Sequence, residues 1–185
     1  LKKILGDKVD VSIFKYPSDL QENITDGNYP DVFMFSSYYW NQNLGLAFAE
    51  EIKNINAKTL VVAGGPNISK DRHKQKEFLE SNPYVDFYVL HEGEIAAAQL
   101  LCRYIENDYC IDSLKKSSAR QSLSVYEGEL LIGDLIDRIG VKKSKPVNLQ
   151  SEYQNFSVDN LDEIPSPYNN GMMDKFFDNI LHPLI

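Results

Sequence analysis

Three short clusters of chemically capable residues each follow a run of apolar ones. Ser36-Ser37-Tyr38-Tyr39-Trp40-Asn41 comes after Val32-Phe33-Met34-Phe35, and Gly64-Gly65-Pro66-Asn67 after Leu60-Val61-Val62-Ala63. His91-Glu92-Gly93-Glu94 comes after Val85 to Leu90. The hydroxyls of Ser36 and Ser37 can donate to ring nitrogens or phosphate oxygens, or simply cap a helix. The glycine pair lets a ligand approach the backbone with no Cβ in the way, or makes a tight turn. Glu92 and Glu94 can accept from ribose hydroxyls, or open a helix where acidic residues suit the dipole. Each cluster alone is weak evidence; three of them, each at the end of an expected strand, point to a shared binding rim.

Such a rim needs elements that bring the three ends together. Continuous apolar runs suit strands covered on both faces. Between them lie amphipathic segments: Leu44, Phe48, Ile52 and Ile55 form one stripe, and Asp71 to Glu80 reads as a charged helix stopped by Asn82-Pro83. Ile95, Ala98, Cys102 and Ile105 form another stripe. Strand–helix alternation at this spacing predicts an α/β fold, a doubly wound Rossmann-like (flavodoxin-like) parallel sheet. In such sheets ligands bind outside the carboxyl ends of the strands. The three strands are expected to be parallel neighbours in chain order. Val9 to Phe14 alternates like a strand near a sheet edge. It is expected to be separated from Val32–Phe35 by a position that a first strand, missing from this chain, would fill. Ser18 with Gln21 three residues on resembles a capping box for a helix carrying Leu20 and Ile24.

The division along the chain is a 1–110 binding domain, a 111–139 extension and a 140–185 linker. In the extension, Ser122–Tyr126 and Glu129–Ile132 flank Glu127-Gly128 as a small hairpin. The linker holds Pro146, Pro165 and Pro167 among polar residues, and reads as extended, anchored by Leu161 to Tyr168. Leu1 to Gly6 reads as the end of a helix closed by glycine, and Leu181 to Ile185 stops on an apolar run; both ends look cut, as in a fragment.

The chain has 185 residues, 43% hydrophobic, and a net charge of -8. That length suits one core, and the charge argues against nucleic acid or an anionic membrane as partner. No apolar run approaches the length of a membrane span. Two cysteines, Cys102 and Cys110, cannot build a disulfide scaffold or a four-cysteine metal site, and a reducing cytoplasm is the expected setting.

Pro30 to Trp40, Gly64-Gly65-Pro66, Glu92-Gly93-Glu94 and Leu161 to Tyr168, in this order, resemble the N-terminal cobalamin-binding domain of cobalamin-dependent radical S-adenosylmethionine (SAM) enzymes. The resemblance covers residues 8 to 110 best. It implies cobalamin (vitamin B12) as ligand, with Ser36, Ser37, Tyr38, Gly64, Gly65 and Pro66 along the nucleotide-tail slot and Glu92, Gly93 and Glu94 at the corrin rim. It also implies a parent enzyme with a downstream radical SAM domain holding a 4Fe-4S iron–sulfur cluster and S-adenosylmethionine, commonly for methyl transfer. This chain has no three-cysteine motif for that cluster, so it is expected not to be catalytic alone and to bind cobalamin weakly or not at all by itself.

Two features depart from the family pattern. His91 stands where the family usually has glycine, and the Asp-x-His-x-x-Gly loop of other cobalamin proteins is absent. His91 follows the wrong strand for a cobalt ligand and reads better as a rim histidine. Tyr38, Tyr39 and Trp40 either wall the corrin or pack against the protein. If the tail passes Gly65, a side chain there should block binding while the fold survives. The competing readings are a flavodoxin-like domain for another nucleotide-type ligand, though no glycine-rich phosphate loop is present, and a non-catalytic interaction domain.

Overall fold

The three apolar runs become three strands: β1 (Val32–Ser36), β2 (Leu60–Gly64) and β3 (Phe87–Val89). The computed structural model describes residues 1, 5–90, 93–115, 129–130, 162 and 164–177. The strands lie side by side in chain order and all run parallel, with Val32 opposite Leu60 and Val62 opposite Phe87. Parallel neighbours need a crossover. α2 (Gln42–Ile55) supplies it between β1 and β2, and α3 (Arg72–Ser81) between β2 and β3. α1 (Pro17–Thr25) precedes the sheet, and α4 (Gly93–Glu106) follows β3. This is the α/β architecture the sequence predicts.

Side chains alternate along each strand, so the sheet has two apolar faces. Leu60, Val62, Phe87 and Val89 meet Ala96, Leu100, Leu101 and Tyr104 of α4, with Leu5 and Leu114. Val61, Ala63 and Tyr88 meet Ala49 of α2 and Leu79 of α3, with Val85 and Leu90. Burying each large aliphatic side chain contributes about 1.5–3 kcal/mol. β2 is covered on both faces, whereas β1 is only half-buried. α2 presses onto β1 at Gly45, where a Cβ would lie 2.3 Å from Cδ2 of Phe35. Among the described residues, no strand pairs with the other edge of β1.

At the amino-terminal end of β3 a buried carboxylate ties the layers together. Asp86 Oδ2 contacts Nζ of Lys53 from α2 at 2.6 Å and accepts from the Val61 amide at 2.9 Å. Its Oδ1 accepts from Nζ of Lys115 at 3.0 Å. A paired, hydrogen-bonded charge is the form in which a buried carboxylate is tolerated.

Several expectations change in the structure. Val9 to Phe14 keeps its alternating exposure but forms no ladder and does not pair with β1. Alternation marks a two-sided environment, and a strand also needs a neighbour to receive its hydrogen bonds. α1 starts at Pro17, with Tyr16 as its N-cap. Proline suits the first helical position, so Ser18 and Gln21 fall inside the helix and form no capping box. Their side chains bond Asp19 and Glu51 instead. On α2, Phe48 and Ile52 are buried as expected, while Leu44 and Ile55 at the ends of the stripe are exposed. β3 is shorter than the apolar run that makes it. Glu129–Leu130 forms β4, parallel to β3, and its expected hairpin partner at 122–126 lies outside the described residues. From Ser166 the tail turns rather than extends, with the Asn169 amide donating to the Ser166 carbonyl at 3.2 Å. Among the described residues, no helix is long and apolar enough to cross a membrane.

Candidate functional site at the carboxyl ends of the strands

Two of the predicted loops meet at the carboxyl ends of β1 and β2. The Ser37 amide donates to the Gly64 carbonyl, and the Asn67 amide donates to the Ser37 carbonyl at 3.2 Å. Gly65 has φ +105°, a left-handed conformation that L side chains rarely adopt, and a Cβ there would lie 2.7 Å from the Ser37 carbonyl oxygen. The crowding comes from the protein's own backbone. The Gly65 requirement is therefore already explained by the turn, and a side chain there would strain the backbone whether or not a ligand passes it. Gly64 differs: a Cβ would meet only Val89, at 3.6 Å from its carbonyl oxygen and 3.8 Å from its Cβ. A small side chain fits there.

The side chains next to the turn are of two kinds. Ser36 is exposed, and Ser37 is fully buried. Ser37 Oγ lies near the Tyr88 hydroxyl, yet makes no hydrogen bond of ordinary geometry. An orphaned buried hydroxyl is uncommon and calls for an explanation. Tyr88, on β3 and wholly buried, donates its hydroxyl to the Gly65 carbonyl at 2.9 Å. Burial pushes the Tyr88 phenol above its ordinary value, so it stays protonated and donating at neutral pH.

Beyond Ser37 the chain turns outward. The Tyr38 amide donates to Asn41 Oδ1 at 2.7 Å, and the Gln42 amide donates to the Tyr38 carbonyl at 3.0 Å, which starts α2. Within this turn Tyr38 and Trp40 stack, with ring centroids 4.9 Å apart and planes 14° apart. Tyr39 is 89% exposed and Trp40 79%. Among the described residues, Tyr39 and Trp40 do not pack into the core, and their rings face solvent. Gln42 and Asn67 clasp the two loops: Asn67 Nδ2 donates to Gln42 Oε1 at 2.9 Å, and Gln42 Nε2 to the Asn67 carbonyl at 3.5 Å.

The glycine loop leads into α3 through Asp71, whose carboxylate accepts from the His73 and Lys74 amides at 2.8 and 3.1 Å. The Lys74 amide above all holds its pKa below the usual value. Gln75 is buried and donates to the Ser69 carbonyl at 2.7 Å. The third cluster is described in part. Gly93 opens α4 and Glu94 is exposed in its first turn, while His91 and Glu92 lie outside the described residues. Pro66 is exposed. The structure thus gathers Ser36, Ser37, Tyr38, Gly64, Gly65 and Pro66 at one end of the sheet, and Glu94 starts the helix that follows the neighbouring strand. Sequence reading missed Tyr88, Gln42 and Asp86. Asp86 and Tyr88, polar groups inside the otherwise apolar run Val85 to Leu90, offered the visible signals. Among the described residues, no cluster of three or more His, Cys, Asp or Glu is placed to hold a metal.

In sequence the chain is 30% identical over 148 residues to a cobalamin-dependent radical SAM methyltransferase, TokK, from Streptomyces tokunonensis, a match covering 78% of this chain and 17% of that protein. The chain is thus similar to part of a cobalamin-dependent radical SAM methyltransferase. It is also 37% identical over 83 residues to a 2-(S-pantetheinyl)-carbapenam-3-carboxylate methyltransferase from Streptantibioticus cattleyicolor, covering 45% of this chain and 11% of that protein. The chain therefore spans less than a fifth of the length of the curated relatives it matches. No protein-family model matches it. The relationship agrees with the resemblance read from the rim loops.

Proposed function

We propose that residues 8–110 bind cobalamin at the carboxyl ends of β1 to β3, as one module of a larger radical SAM enzyme. The observation that carries this reading is the stacked, solvent-facing pair Tyr38–Trp40 beside the glycine turn at the carboxyl ends of β1 and β2. A corrin is a broad and mostly apolar face, and an exposed aromatic shelf offers it a matching surface. The nucleotide tail carries hydroxyls, a phosphate and a ring nitrogen. Ser36 Oγ is exposed to donate to them, and Gly64 leaves room for close approach.

When bound in such an enzyme, cobalamin supplies a methyl carrier. This chain's residues would orient it: the aromatic shelf would support the ring, the turn would grip the tail, and Glu94 would stand at the rim. A downstream domain with a 4Fe-4S cluster and S-adenosylmethionine would be the partner that does the chemistry. Methyl transfer is the reaction class proposed for the whole protein. Titrating the chain with hydroxocobalamin and following the visible absorbance tests the reading. A saturable spectral shift is expected, weaker here than in a longer protein that also carries the radical domain; no shift in either refutes it.

A further inference from the structure

We propose that Tyr88 is the positioning residue of this rim: its buried hydroxyl, bonded to the Gly65 carbonyl, holds the glycine turn against Ser37 and so fixes the wall that a ligand meets. What the wall holds rests on the cobalamin reading above; the lock itself does not.

Tyr88 sits in an apolar cluster with Ala49, Val61, Ala63, Leu79, Val85 and Leu90. Phe78 packs edge-on against its ring, with centroids 5.7 Å apart. Phenylalanine would fill that volume equally well, so packing alone does not account for the hydroxyl. A buried phenol must find a partner, and this one reaches out of the cluster to the Gly65 carbonyl at 2.9 Å. Gly65 is the residue with the left-handed backbone, and its freedom is what would let the turn move. The bond removes that freedom. Because Ser37 and the 64–67 turn are joined through Ser37 N to Gly64 O and Asn67 N to Ser37 O, fixing Gly65 also fixes the end of β1. With 2.7 Å between the Gly65 Cβ position and the Ser37 carbonyl, the fit has no slack. One hydroxyl on β3 thus sets the spacing of the loops from β1 and β2.

The test compares wild type, Tyr88→Phe and the control Tyr104→Phe in the intact chain. Tyr104 is also buried, and its hydroxyl donates to the Lys58 carbonyl at 3.4 Å, at the amino-terminal end of β2. Amide hydrogen exchange read by mass spectrometry is measured without ligand. Tyr88→Phe should speed exchange at Ser37 and Asn67 roughly fivefold, the usual net contribution of one hydrogen bond, and leave the β2 and β3 amides as they are. Hydroxocobalamin affinity should fall by a similar factor in Tyr88→Phe and stay unchanged in Tyr104→Phe. Unchanged exchange at Ser37 and Asn67, acceleration spread evenly over the sheet, or full cobalamin affinity in Tyr88→Phe overturns the role given to Tyr88. Absence of cobalamin binding both by the wild-type chain and by a longer protein that carries the radical domain overturns the functional reading, and the exchange data alone then decide the lock.

Discussion

Replacing Asp86 by alanine should unfold much of the protein's stability margin while leaving the rim chemistry untouched. The carboxylate is 5% exposed and the Lys53 side chain 13%, with Nζ and Oδ2 2.6 Å apart. At an effective dielectric of 20, two charges at that distance attract with about 6 kcal/mol. Desolvation of both ions offsets most of this. Removing the acid alone is different, because Lys53 stays buried with its charge and the Val61 amide loses its acceptor. Breaking a buried pair from one side costs about 3–5 kcal/mol, against about 5–15 kcal/mol for a whole domain. Lys115, whose side chain is 30% exposed, is screened by solvent, and Lys115→Ala should cost about 1 kcal/mol or less. Lys53→Met removes the buried charge while keeping most of the packing, so the double variant Asp86→Ala with Lys53→Met should recover part of the loss. Urea unfolding followed by far-ultraviolet circular dichroism measures all four. With a slope of about 2 kcal/mol per molar urea, Asp86→Ala should move the midpoint down by about 2 M. A shift below about 0.5 M, or a double variant less stable than Asp86→Ala, would refute the reasoning.

The two glycines of the turn should separate cleanly in the same unfolding assay. Gly65→Ala should cost about 1–3 kcal/mol from backbone strain, and Gly64→Ala less than about 1 kcal/mol; equal losses would contradict the geometry. The thiols should differ as well. The Ser113 hydroxyl, ahead of its amide, holds exposed Cys110 below the ordinary thiol value, while burial pushes Cys102 up. Iodoacetamide near neutral pH, read by peptide mass spectrometry, should label Cys110 roughly tenfold faster or more, and preferential labelling of Cys102 would exclude this. Asp71 has a lowered native pKa, so its helix-capping contribution is full above the usual 3.8 and is lost as pH falls below that toward the native value. Asparagine also caps but does not titrate. Wild type should therefore lose stability relative to Asp71→Asn on acidification from about pH 5 to about pH 2.5, and parallel curves would show that the carboxylate is not the cap.

The strands were legible in sequence because two-sided burial writes itself as an unbroken apolar run, and Leu60 to Ala63 is as buried as that run implies. Order and direction followed from the short helical crossovers. What stayed hidden depends on partners distant in sequence. Asp86 meets Lys53 and Lys115 across three elements, and no local period announces such a contact. Val9 to Phe14 shows the right alternation, but pairing is a property of two segments. At the rim the loops were found by residue type, whereas the opposite fates of Ser36 and Ser37 depend on how the backbone leaves β1. Gly65 was recognised as special, but the crowding partner turned out to be Ser37.

Trp40 is the chain's one tryptophan, and it stands in water on the rim instead of in either core cluster. Its emission is therefore a gauge of the site and nearly blind to the fold. Unfolding would release the indole from its stack on Tyr38 but change its hydration little, whereas a coloured ligand laid on that stack would quench it by energy transfer. Fluorescence and circular dichroism would then report on separate events in one sample, and a variant that weakens binding could be told from one that unfolds.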